Sequence, residues 1–187
     1  MASNWSGGDY SPCKLITLDR DSSEFRTVQS IFSLSSRGLS INRIDRVENP
    51  FLLGQFLMKK DKMNRQNISV SEESLFHGTM KSNVDGICRF NFDWRRNGQS
   101  RGHKFGQGVS FTPEVSYAKH YTSGHNIFFL VKVLVGRSTF GNTFTTIPPT
   151  SYDTTRNTKN TVFVKYEDDD FYPQYVIHCP PLFSFLL

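Results

Sequence analysis

The stretch SLFHGTMKSNVDGICRFNFDWR, Ser74 to Arg95, decides the reading of this chain. A short apolar run, Leu75-Phe76, ends in His77-Gly78-Thr79 and reads as the end of a strand. NVDGIC then places Val84, Ile87 and Cys88 on one face at helical spacing. A loop carrying Phe90, Phe92 and Trp94 follows. A histidine at a strand end is, taken alone, most often a structural residue. The glycine after it changes the weighing. Without a Cβ, Gly78 leaves its backbone N–H and C=O open to close approach. Such a pair can clamp a primary carboxamide by donating and accepting at once. His77 then stands where it can bond a neighbouring sugar hydroxyl, and Thr79 adds a further hydroxyl.

Outward from this stretch, the pattern is one of short alternating segments. Upstream, KLITL (Lys14 to Leu18) reads as a strand. Asp19 to Ser22 offers capping chemistry to a helix with Phe25, Val28, Ile31 and Phe32 in register. LSINRIDRVEN, with Ile41, Ile44 and Val47, reads as a strand. A second helix runs from Pro50 to Met63, with Leu53, Phe56, Leu57 and Lys60 at helical period. Downstream, GVSF is a short strand and PEVSYAKHY a helix. NIFFLVKVLVG (Asn126 to Gly136) is the strongest strand, and TVFVKY and QYVIHC are two more. A polar loop with Pro148-Pro149 fills Thr143 to Asn160. Many short strands and few short helices, without a βαβ rhythm, predict an α+β domain with antiparallel sheets. Residues 1–12 read as a loose Gly- and Ser-containing leader, and 13–187 as one domain.

The 187 residues suit a single domain, which at this size buries roughly 70% of its unfolded surface without a metal or disulfide staple. Hydrophobic content is only 37%, but the 17 phenylalanines compensate. Cys13, Cys88 and Cys179 show neither CxxC nor zinc spacing and read as reduced thiols of an intracellular protein, nuclear or cytoplasmic. MASNWSGGDY has neither the charged start nor the apolar core of a signal peptide. No apolar run approaches the ~18 residues that span a bilayer. The tail PPLFSFLL is too short to anchor in lipid and is expected to pack on the body. A net charge of +5 favours an anionic ligand, a dinucleotide or nucleic acid, but the basic stretches RRNGQSRGHK and KKDKMNRQ form no single obvious face.

Several chemistries are excluded by pattern. Gly106 and Gly108 in GQGVSF neither complete GxGxxG nor open a helix, and Walker A and HExxH are absent. Cys88 lies on the apolar face of its helix and reads as a buried structural thiol.

FHGT, VDGIC, NFDWRRNG, FGQGVSF, SYAKHY, FFLVKVLVG and YPQYVI occur in this order. Together they resemble the catalytic domain of the PARP family, the diphtheria-toxin-like ADP-ribosyltransferases. The resemblance runs from Ser74 to His178 and is nearest to the mono-ADP-ribosylating members. FRTVQSIF and INRIDRVENPFLLGQFLMKKDKM are similar to the family's amino-terminal part. It implies two facing, mainly antiparallel sheets with short flanking helices and an NAD cleft between them. NAD would be the substrate, with no metal, a protein as acceptor and nucleic acid as a further partner, no membrane contact, and a monomer. By resemblance, Gly78 grips the nicotinamide carboxamide and His77 bonds the adenosine ribose. Thr79 and Asn83 match positions that touch a ribose, and Tyr121 matches an aromatic that stacks on nicotinamide. NFDWRRNGQSRGHKFG corresponds to the donor loop beside NAD, with Phe92 and Trp94 either facing NAD or plugging the core.

The sequence departs from the family at three positions. The triad tyrosine of G-x-G-[IV]-Y-F is Ser110, which removes an aromatic wall. The glutamate of the polymer-forming members is matched to Gln174 of YPQYVI, which carries no charge and speaks against chain elongation. A serine that meets the nicotinamide carbonyl is matched by Ala118. All three weaken nicotinamide binding, and an unpaired polar group on the ligand costs about 1–3 kcal/mol. Two readings therefore stand: a mono-ADP-ribosyltransferase, or a catalytically inactive form of the fold that binds protein or RNA.

Overall fold

The computed structural model describes residue 5 and residues 12–66, 68–96 and 103–181. Strand β1 (Lys14–Thr17), helix α1 (Ser23–Ser33), β2 (Arg43–Glu48), α2 (Pro50–Arg65) and β3 (Ser71–Thr79) form the first half. Helix α3 (Val84–Phe90), β4 (Val109–Phe111), the single turn α4 (Val115–Ala118), β5 (Ile127–Val135), β6 (Ser138–Phe140), β7 (Thr154–Arg156), β8 (Phe163–Lys165) and β9 (Phe171–His178) follow. One sheet has the order β1-β2-β9-β5-β3 and is antiparallel throughout. The second has the order β4-β8-β7-β6 and is antiparallel except for the β6–β7 pair. The α+β class and the two mainly antiparallel sheets are as the sequence predicts, and neither sheet closes on itself.

β5 is apolar on both sides because both faces of the larger sheet are covered. Phe129, Val131 and Val133 join Val84, Ile87 and Cys88 of α3 in one core. Phe128 and Leu130 join Phe25, Val28 and Phe32 of α1 in a second. Leu134 meets Leu52, Leu53, Phe56 and Met63 of α2 in a third, together with Tyr172 of β9. The helix starts follow their capping residues. The Ser22 hydroxyl accepts from the Phe25 N–H at 3.1 Å. Asn49 accepts from the Leu52 N–H at 3.1 Å, with Pro50 in the first helical position.

The structure corrects the sequence reading in several places. α2 buries Leu52 and Met63 and leaves Leu57 45% exposed, so its apolar stripe is rotated from the expected one. β3 begins at Ser71, because pairing with Val135 to Lys132 of β5 draws its polar start into the sheet. The helix expected over PEVSYAKHY is one α-turn followed by a 3-10 turn at Lys119–Tyr121. The stretch Thr143 to Asn160 is not all loop: it holds β7, whose Thr154 and Thr155 are fully buried. Within the leader, Trp5 packs against the core beneath α2 with Ile68 and Val70. The expected packing of PPLFSFLL falls largely on 182–187, outside the described residues.

A buried charge network ties the smaller sheet to α2. The fully buried Lys165 lies 2.8 Å from Asp153 and 3.1 Å from Asp170. Lys59 of α2 lies 3.6 Å from Asp170 and also pairs with Glu167.

Candidate functional site

The site begins where the two sheets part. Phe76 of β3 exchanges backbone hydrogen bonds with Thr112, just past β4: its N–H donates to the Thr112 carbonyl at 2.6 Å and its carbonyl accepts at 3.0 Å. β3 is an edge strand, so groups that face outward on it alternate. Since Phe76 faces outward, Gly78, two residues on, presents its N–H and C=O along the same edge. The strands have diverged by then, and a cavity of about 620 Å³ opens between them. This size suits a small-molecule ligand.

His77 bridges the opening. Its Nδ1 lies 3.0 Å from the Ser110 carbonyl. Burial holds the His77 pKa below its ordinary 6.5, against the Ser110 carbonyl, which favours the imidazolium. The ring is therefore neutral at physiological pH. A carbonyl only accepts, so the proton sits on Nδ1 and Nε2 is left as an acceptor for a ligand hydroxyl. Phe92 fixes the ring, with centroids 4.8 Å apart in an edge arrangement.

Gly78 is required for packing as well as for access. A Cβ there would overlap the carbonyl oxygen of Ala118 and press on Thr122. α4 thus lies directly against the strand end. Thr79 and Asn83 meet across the adjoining turn, where Asn83 Nδ2 donates to Thr79 Oγ1 at 3.2 Å. Tyr121 donates its hydroxyl to Tyr117 at 3.3 Å, and burial pushes the Tyr121 pKa well above the usual phenol range.

Of the residues singled out from sequence, His77, Gly78, Thr79, Asn83, Ser110, Ala118 and Tyr121 all line this cavity. The Ala118 side chain belongs to the α1 core, so its carbonyl is what borders Gly78. Gln174 is not on the described lining. The register passes from Tyr175↔Leu130 to Pro173↔Val131, which makes Gln174 the extra residue of a bulge on β9. β5 separates β9 from β3. The strand beside Ser110 is β8, whose Val164 is its register partner. Counting along an apolar strand could not reveal either the bulge or this pairing.

Phe92 is a core plug, 4% exposed and packed on Phe111, Phe129 and Phe171. Trp94 borders the cavity and only partly joins the core. Residues 97–102 of the expected donor loop lie outside the described residues.

Two contributors were missed. Asn91 ends α3 at φ +70 and donates to the carbonyls of Asp168 and Phe171 at 2.9 and 3.0 Å, which aims Phe92 inward. An asparagine between a helix and an aromatic is a readable signal for that backbone conformation. Tyr117 also lines the cavity, one helical turn before Tyr121.

Cys88 is 1% exposed and burial raises its thiol pKa, as a structural cysteine requires. Among the described residues, no cluster of potential ligands could hold a metal ion. No helix of the described residues is long and apolar enough to cross a membrane.

Comparison with known proteins bears on the same residues. The model of the poly(ADP-ribose) polymerase catalytic domain matches residues 22–162. Protein mono-ADP-ribosyltransferase PARP12 of Mus musculus is 35% identical over 178 residues, covering 88% of this chain and 25% of the relative. Protein mono-ADP-ribosyltransferase PARP11 of Mus musculus is 29% identical over 202 residues, covering 89% of this chain and 60% of the relative. Zinc finger CCCH-type antiviral protein 1 of Mus musculus is 29% identical over 119 residues, 64% of this chain and 12% of the relative. The chain thus spans about a quarter of the first of these relatives.

Proposed function

This chain belongs to the poly(ADP-ribose) polymerase catalytic domain family, and we propose that it transfers one ADP-ribose from NAD to a protein side chain, releasing nicotinamide. The observation that carries this reading is the outward amide edge of Gly78 beside a neutral His77 whose Nδ1 is committed to Ser110. A carboxamide can donate to the Gly78 carbonyl and accept from its N–H, while a ribose hydroxyl donates to His77 Nε2. Thr79 with Asn83 orients the sugar, and Tyr121 offers an aromatic face.

The chemistry then needs little more from the protein. The bond between the ribose C1 and the cationic nicotinamide nitrogen breaks, and nicotinamide leaves neutral. The ribose develops oxocarbenium character, and a nucleophilic side chain of the acceptor attacks C1 and loses its proton. Fixing both ends of the scissile bond supplies the rate through orientation. Two of the relatives carry mono-ADP-ribosyltransferase in their names, which supports transfer of a single unit.

A second reading, an inactive member that binds a protein or RNA, is favoured by the small residues at Ser110 and Ala118. One relative, moreover, carries no transferase in its name. The experiment that separates them uses NAD labelled on the adenine. Transfer predicts label on protein in step with nicotinamide release, both lost in His77→Ala. Absence of label and of nicotinamide release at millimolar NAD supports the second reading.

A further inference from the structure

α4 is held at its start by a residue 80 positions earlier in the chain. Ser35 lies in the turn that leaves α1, one residue past the helix cap Leu34. Its hydroxyl accepts from the Val115 N–H at 2.9 Å and donates to the Pro113 carbonyl at 3.1 Å. Its carbonyl accepts from the Ser116 N–H at 3.2 Å. The first two helical N–H groups of α4 therefore find their acceptors on Ser35, while Glu114, at the local cap position, makes no side-chain cap bond. Beneath this contact, Phe25, Val28 and Phe32 of α1 share a core with Val115 and Ala118. Ser35 itself is not on the described lining of the cavity, but the segment it holds borders the cavity at both ends. Thr112 bonds Phe76 where the sheets part, and the Ala118 carbonyl lies against Gly78.

We propose that Ser35 is a positioning residue of the cleft: it caps α4 from the end of α1 and so fixes the wall that lies against Gly78. The proposal rests on the NAD reading, in which the Gly78 amide edge receives the nicotinamide carboxamide. α4 is a single turn, and a helix that short does not hold itself in water. Without the Ser35 hydroxyl, the start of α4 gains other positions, and the Ala118 carbonyl leaves its seat in part of the population. A ligand that needs the seated form then binds with an affinity reduced by the seated fraction. The effect falls on the carboxamide end of the ligand. His77 is held by the Ser110 carbonyl, and Thr79 by Asn83, through contacts that do not pass through Ser35.

The test measures calorimetric affinities for NAD and for ADP-ribose, which lacks nicotinamide, on variants whose unfolding transitions show them folded. Ser35→Ala is expected to weaken NAD about three- to ten-fold, the range of one lost cap, and to leave ADP-ribose unchanged. Ser35→Thr keeps the hydroxyl and is expected to restore NAD affinity. Ser22→Ala removes the cap at the other end of α1 and is the control. It is expected to lower stability by a similar amount and to change neither affinity, whereas a merely structural role for Ser35 would make the two alanine variants alike. The proposal is overturned if the natural protein binds NAD but Ser35→Ala changes NAD and ADP-ribose alike or neither. It is also overturned if Ser35→Thr weakens NAD as Ser35→Ala does, or if Ser22→Ala does so. If the natural protein binds neither ligand, the NAD reading itself falls and this inference with it.

Discussion

His77 gives the cleft a pH signature. Its pKa is held below 6.5 by burial, so the unfolded chain takes up the proton first as pH falls. The group's contribution to stability is complete above pH 6.5 and is lost as pH falls from there through the lowered folded pKa. Protonation also removes the Nε2 acceptor. NAD affinity is thus expected to be flat above neutrality and to fall on acidification below 6.5, while His77→Asn flattens the profile. Affinity that rises on acidification would contradict the neutral tautomer. At Gly78, a methyl group would collide with a backbone carbonyl, which cannot rotate away. Gly78→Ala is expected to cost about 1–3 kcal/mol of stability and to abolish NAD binding, read by denaturant unfolding and a binding titration.

At the scale of elements, caps and buried charges fix where the cleft opens. Asn49 caps α2 and also donates its amide to the Cys88 and Arg89 carbonyls at the end of α3, at 3.0 and 3.3 Å. Asn49→Ala should therefore exceed the ~1 kcal/mol of an ordinary cap and reach about 2–4 kcal/mol, since buried acceptors are also orphaned. Ser22→Ala, a simple cap, should stay near 1 kcal/mol; equal losses at both sites would contradict the cross-helix role. Lys165 lies between Asp153 and Asp170 inside the smaller sheet. Lys165→Met leaves two carboxylates without their shared cation and is expected to cost about 3–5 kcal/mol.

The same scale shows what was legible beforehand. β5 was evident because both of its faces are buried, so nine residues from Ile127 to Val135 read as one run. The Ser22 and Asn49 caps were readable from local chemistry. β6 and β7 were not, because three-residue strands built from Thr and Ser hold their place through partners, not composition. The buried Thr155 hydroxyl, for example, is held by the Phe105 carbonyl at 2.7 Å and by Tyr166 at 2.5 Å. Seven of the residues singled out from sequence line the cavity, because they lie on short local segments. Gln174 is off the described lining, and its position depends on a bulge and on which strand flanks β4, both set by tertiary pairing.

For the whole molecule, the parting of the two sheets beyond the Phe76–Thr112 bridge is the feature from which function follows. Two of the α2 cations are turned inward, since Lys59 and Lys60 are engaged by Glu167, Asp170 and Glu72. Lys59 and Lys60 are thus expected to add little to any salt-dependent retention on RNA, where each phosphate contact would contribute about 0.7–0.9 to the logarithmic slope. The measurement that tests the central claim most directly is thermal unfolding with and without millimolar NAD, for the natural protein and His77→Ala. A ligand at about 100 times its Kd stabilises by roughly 2.7 kcal/mol, or several degrees for a domain of this size. The account predicts such a rise in the natural protein and its loss in a folded His77→Ala. An equal rise in both proteins, or none in either, would contradict a cleft in which His77 and Gly78 hold NAD.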